Sequence, residues 1–106
     1  MHKGHIQNGI VTGTGAAINV SLGFIPTRVT LVNIANATTL DWQDTMPAAA
    51  GVKTIAVGTQ SVILTLGVST FPGVAGVSGA GFTIGADASL NIATNVIHWI
   101  AICSDS

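Results

Sequence analysis

"GVAGVSGAGFTIG", residues 73–85, decides the fold. It admits three readings: a phosphate-cradling loop, part of a membrane span, or the turns of a β-structure. A phosphate loop sets its glycines between a strand and a helix, so that amides at the helix N-terminus point at the anion. Here the glycines run into Phe82-Thr83-Ile84, a β-like triplet. No Lys follows as in a Walker loop, and no acidic residue lies about 20 positions on in a second βαβ unit. Residues 54–86 carry no charge and are long enough for a bilayer, which needs about 20 apolar residues. Yet Gly67, Gly73, Gly76, Gly79, Gly81, Gly85 and Pro72 interrupt them, and glycine and proline both disfavour a helix. The stretch therefore reads as tight turns, bulges and close backbone approach within a β-domain.

The flanking sequence agrees. In "AINVSL", Ile18, Val20 and Leu22 share one face, the period-two signature of a half-buried strand. "SVILTL" repeats it with Val62, Leu64 and Leu66, which are expected to face the core. "VKTIAV" puts Ile55 and Val57 on the face of Lys53, whose stem can lie on apolar surface while its amine stays wet. In "TRVTLVNIA", Val29 and Leu31 face one way, Val32 and Ile34 the other. "VIHWIAI", residues 96–102, is apolar on both faces and reads as a central strand. Gly, Pro, Asn and Thr fill the intervals. Only "DTMPAAAG" and "DASLNIATN" have room for a turn or two of helix. The expectation is an all-β fold, a single-domain antiparallel β-sandwich or jelly-roll-like barrel of about eight short strands. It spans residues 9–106, behind a flexible arm over residues 1–8 in which "HIQNGIV" can start the first strand.

Charge is the unusual quantity. Only 7% of the 106 residues are Asp, Glu, Lys or Arg, and Glu is absent. An ordinary soluble domain has roughly 25%. The net charge of −1 gives no basic footprint for nucleic acid and no cationic face for anionic lipid. A surface so poor in ions favours association. Copies of the chain or a partner are therefore expected to cover much of it. With one cysteine, Cys103, no intrachain disulfide can form. "MHKGHIQNG" has no apolar core of signal-peptide length, so synthesis and folding in a cytoplasm are expected.

No catalytic constellation emerges, and an enzyme is not expected. His2 and His5 are too few for a structural zinc site, which wants four ligands. His98, beside Trp99 in the last strand, reads as a core or subunit-interface residue, with no nucleophile or orienting acid to make it a base. Asp41 and Asp44 flank Trp42; paired acids suit glycosidase chemistry, but here they read as turn caps. Asp87, Asn91 and Asn95 offer oxygens to calcium at a spacing that matches no calcium loop, so Asp87 reads as a turn or helix-start residue. No cofactor or metal is expected. The candidate residues are those of an interface: His2, Lys3, His5, Ile6, Trp42, His98 and Trp99, with the two Trp in the core or at a subunit contact.

"GFTIGADASLNIATNVIHWIAI", residues 81–102, resembles a recurring pattern in structural proteins of tailed bacteriophages. Gly81, Phe82, Ile84, Gly85, Asp87, Asn91, Ile97, His98, Trp99 and Ala101 occupy its positions. "LGFIPTRVTLVNIAN", residues 22–36, and "LDWQDTM", residues 40–46, resemble its upstream segments, in the expected order. One departure stands out: the pattern often has Gly near "IATN", where this chain has Ala93-Thr94. The resemblance implies a virion structural protein of the small capsid-decoration (cement) kind, on the outer capsid lattice, binding the major capsid protein and stapling its subunits. It also implies self-association, with a homotrimer favoured over a dimer. A tail or fibre receptor-binding module is the alternative it leaves open.

Overall fold

The computed structural model describes residues 5–73 and 79–103. They form an all-β fold with eight strands: β1 (His5–Thr12), β2 (Ile18–Ser21), β3 (Arg28–Asn33), β4 (Thr38–Gln43), β5 (Ala50–Thr54), β6 (Gln60–Phe71), β7 (Gly81–Ile84) and β8 (Val96–Cys103). Every pairing is antiparallel, in one sheet of order β1-β8-β3-β4-β5-β6-β7-β2. There is no helix among the described residues. "DASLNIATN" supplies a single helix-like turn, with Asn91 N donating to Asp87 O at 2.8 Å.

Chain connectivity forces this sheet to curl. A flat sheet of eight strands would separate its outer strands by about 34 Å, at ~4.8 Å per spacing. Those outer strands, β1 and β2, are consecutive in sequence and joined by residues 13–17 alone. Six chain steps reach at most about 21 Å. The two edges must therefore approach, and Gln7 Nε2 spans them to donate to Leu22 O at 3.2 Å.

Alternation sorts the side chains. Across β1, β8, β3, β4 and β5, one inward row runs Gly9, Trp99, Leu31, Leu40, Lys53. Val29, Trp42, Ile97 and Ala101 join it from neighbouring inward rows, and Val68, Phe82, Ile84 and Leu90 come from the rest of the fold. Phe82 and Trp99 meet edge to face, with ring centroids 5.5 Å apart and planes at 71°. Ile18 and Val20 pack against this core and Leu22 is buried in it, as their alternation requires.

Three expectations change. β1 begins at His5, so residues 5–8 of the expected arm are ladder, paired with residues 103–100. Residues 1–4, with His2 and Lys3, lie outside the described set. Lys53 does point along the inward row, but its amine is not left to water. Ile55 and Val57 fall beyond the end of β5, in the turn to β6. Finally, Val62, Leu64 and Leu66 are exposed rather than buried. The reason is register: Val62 pairs Val52 in an outward row, while Ile63, opposite Gly51, packs against the core. The next β5–β6 pair joins Ala50 to Val68, leaving residues 64–67 without partners in that ladder. Leu66 takes a left-handed φ of 64° there. The apolar alternation is present, but it starts on the outer face at Val62, and the bulge shifts the phase so that Val68 turns inward.

The glycines settle into the β reading. A Cβ on Gly81 would strike the Val20 carbonyl on the paired strand, and one on Gly85 the backbone of Leu66. Both are close backbone approaches. Residues 74–78 of the opening stretch lie outside the described set.

Candidate interaction surface

The polar residues that looked most like chemistry are used to hold the fold. Lys53 Nζ lies 3.0 Å from Asp87 Oδ2, deep enough that neither side chain is more than one-sixth exposed. Asp87 Oδ1 also accepts from the amides of Ser89 and Leu90. Asn91 Oδ1 accepts from Thr14 N and Gly15 N, and its Nδ2 donates to Ala16 O and Gly85 O. Asn33 Nδ2 donates to Leu90 O at 2.7 Å, and Asn36 Nδ2 to Ser89 O at 2.7 Å. These side chains pin the β7–β8 connection onto β3, β5 and the β1–β2 loop. The oxygens of Asp87 and Asn91 that a calcium ion would want are engaged by amides and an ammonium. Among the described residues no buried side-chain nitrogen or oxygen lacks a partner, and no three His, Cys, Asp or Glu gather to hold a metal.

The remaining candidates fall on two sides of the sheet. Trp42 and Trp99 are buried in this chain's own core, Trp42 with its Nε1 donating to Pro47 O at 3.3 Å. Of the two places open to them, they take the core and leave the interface set. Asp41 faces outward, accepting from Thr30 Oγ1 at 2.7 Å, with Arg28 Nη2 at 3.9 Å. Asp44 sits exposed in the turn after β4, donating its backbone NH to Thr27 O. His98 is exposed, which removes the core reading, and stands outward between Ile10 and Val32. His5 pairs Cys103 through the β1–β8 ladder.

What this outer face carries is hydrophobic. Ile6 is 71% exposed, Ile10 65% and Ile100 45%. By register, one outward row runs Asn8, Ile100, Thr30, Asp41, Val52, Val62, and the next Ile10, His98, Val32, Thr39, Thr54, Gln60. The only formal charges on β1, β8, β3 and β4 that face outward are Arg28 and Asp41. A second apolar group lies on the β5–β6 hairpin and its bulge, where Val57, Val62, Leu64 and Leu66 are each half exposed or more. Of these surface residues sequence reasoning singled out Ile6 and His98. The signal for Ile100 and Val96 was the two-faced apolar character of "VIHWIAI", since only one face of a strand can meet the chain's own core.

No helix among the described residues is long and apolar enough to cross a membrane. Comparison of the chain with protein-family models, with curated proteins and with solved structures finds no match.

Proposed function

We propose that this chain is a virion structural protein that decorates the outer capsid surface and bridges neighbouring subunits of the major capsid protein. The observation that carries the reading is the surface. Large aliphatic side chains stand in water on a chain with 7% charged residues, and exposed apolar patches mark protein contacts. The motif resemblance supports it in a second way. Phe82, Ile84, Ile97, Trp99 and Ala101 build the core, Gly81 and Gly85 permit close strand approach, and Asp87 and Asn91 pin the loop between them. Those positions specify a fold, so the pattern is one of architecture. We assign the curled sheet to the sandwich or jelly-roll form of such decoration proteins.

The mechanism is burial. The β5–β6 hairpin projects Val57, Leu64 and Leu66, and seats them against the shell. A protein that binds only the assembled shell stabilises it by mass action, and the gain repeats at each equivalent lattice site.

The test is co-sedimentation of the purified chain with intact heads and, separately, with tails. Binding to heads, weakened by Leu64→Asp and accompanied by a higher temperature of head disruption, is the expected result. Binding to tails alone would move the chain to the fibre class, and binding to neither would end the virion reading.

A further inference from the structure

The outward face of β1, β8, β3 and β4 is an unpartnered sheet face, and we propose that its occupant is a second copy of this chain, packed face to face about a two-fold axis. The inference does not rest on the capsid reading, since self-association is measured with no phage particle present.

The strand sequence makes the first argument. β8 is apolar on both faces, the pattern of a strand covered on both sides. Ile97, Trp99 and Ala101 meet the chain's own core, while Val96, His98 and Ile100 meet water. The described chain has no helix to lay over them.

Area makes the second. Strands of eight, eight, six and six residues at ~3.4 Å rise and ~4.8 Å spacing give a footprint of roughly 460 Å² per copy. Two copies then remove about 900 Å² in plane, and projecting side chains add to it, which brings the contact to the ~1,000 Å² that a specific interface needs.

Charge makes the third. Arg28 and Asp41 lie 3.9 Å apart and offset each other within one copy. The face thus has no net charge to repel its own image, and nothing ionic with which to select a charged partner. Besides Asn8, His98 and Gln43 its other groups are Ile, Val and Thr, whose branched side chains are already restricted and lose little freedom when buried. A single face packing on itself is isologous and stops at two. Stacked sheets lie ~10 Å apart with strands rotated by about 30°. Ile100, flanked by Asn8 and Thr30 with Ile6, Ile10 and Val32 on the diagonals, sits at the centre of the contact.

Sedimentation velocity at about 100 µM, well above a micromolar Kd, tests this. The wild-type chain should sediment with twice its monomer mass. Ile100→Lys, which places an unpaired charge at the centre, should weaken pairing about tenfold or more. Ile10→Lys, on a different strand of the same face, should do the same, so misfolding of one variant does not remove the test. Both variants should keep the wild-type circular dichroism, and Val57→Lys at the hairpin tip should pair normally. A wild-type chain that stays monomeric, one that forms trimers, or folded lysine variants that both pair as tightly as wild type through a dilution series from about 100 µM would overturn the proposal.

Discussion

Lys53 and Asp87 meet at 3.0 Å although 33 residues, none of them charged, lie between them in the sequence. β5 delivers the lysine along the inward row, and the turn after β7 delivers the carboxylate. The pair crosses from the middle of the sheet to the loop that leads into β8.

Removing one member strands the other. Asp87→Ala should cost about 3 kcal/mol or more, because it leaves a largely buried ammonium unpaired and takes the carboxylate acceptor from the amides of Ser89 and Leu90. Lys53→Met keeps the apolar stem and leaves the carboxylate its two amide donors, so it should cost less. The double variant should lose less than the sum of the two singles. Urea denaturation of the four proteins measures the coupling. Strict additivity would mean that the pair contributes nothing beyond its separate parts.

Gly9 is where the ring of Trp99 fits. The two are paired across β1 and β8, and a Cβ on Gly9 would stand 2.9 Å from Trp99 Cζ2 and 3.1 Å from Cε2. The ring cannot retreat freely, since its other side meets the edge contact with Phe82. Gly9→Ala should therefore cost about 1–3 kcal/mol. Trp99→Ala, which opens a cavity, should cost about 3–5 kcal/mol. Combined with Trp99→Phe, a smaller ring, Gly9→Ala should cost less than it does alone. Denaturant midpoints of Gly9→Ala, Trp99→Ala, Trp99→Phe and the double variant check the order.

The opening glycine stretch holds its own control. A Cβ on Gly81 would collide with the Val20 carbonyl inside the β2–β7 ladder, and no side chain can move to make room. Gly81→Ala should cost about 3 kcal/mol or more. Two residues earlier, a Cβ on Gly79 would find nothing nearer than 3.6 Å. Gly79→Ala should change stability by less than about 0.5 kcal/mol. Equal losses at the two positions, read by thermal unfolding, would contradict close approach as the reason for Gly81.

The strands were legible because alternation is a local property. Ile18 with Val20, Val29 with Leu31, and the last apolar strand all lie where period two places them. The inward lysine was not legible in the same way. Lys53 stands on its predicted face, but its partner comes from a loop 34 residues on, and nothing local names Asp87. The same holds for Asn33 and Asn91, whose short polar side chains look like turn residues and act as long-range pins. β6 misled for a different reason. The alternation of Val62, Leu64 and Leu66 is regular, yet the pairing of Val62 with Val52 sets it on the outer face, and the bulge over residues 64–67 brings Val68 inward instead. Of the surface, the scarcity of charge was plain from composition, whereas the row of Ile10, His98 and Val32 exists only through the register of three strands.

The departure at "IATN" has a structural consequence that can be measured. Asn95 N donates to Ile92 O at 3.0 Å, closing a turn with Ala93 and Thr94 at its centre. Thr94 takes φ of 71°, while Ala93 does not have positive φ. That is the type II arrangement, in which the third residue wants glycine. A β-branched residue is poorly suited to this conformation, at a cost of about 1–2 kcal/mol. The turn tolerates it because it is tied to Gly13, directly after β1, through Thr94 N to Gly13 O and Gly13 N to Asn95 O. Thr94→Gly relieves the strain, and the added freedom of the unfolded glycine offsets part of the gain. The net expectation is a stabilisation of about 0.5–1 kcal/mol, seen as a rise of a few degrees in Tm. Thr94→Asn should fall between the two, since Asn visits the left-handed region more readily than Thr. Thr94→Val should be no better than wild type. If Gly lowered the Tm, the threonine would be contributing something at this turn that outweighs its backbone strain.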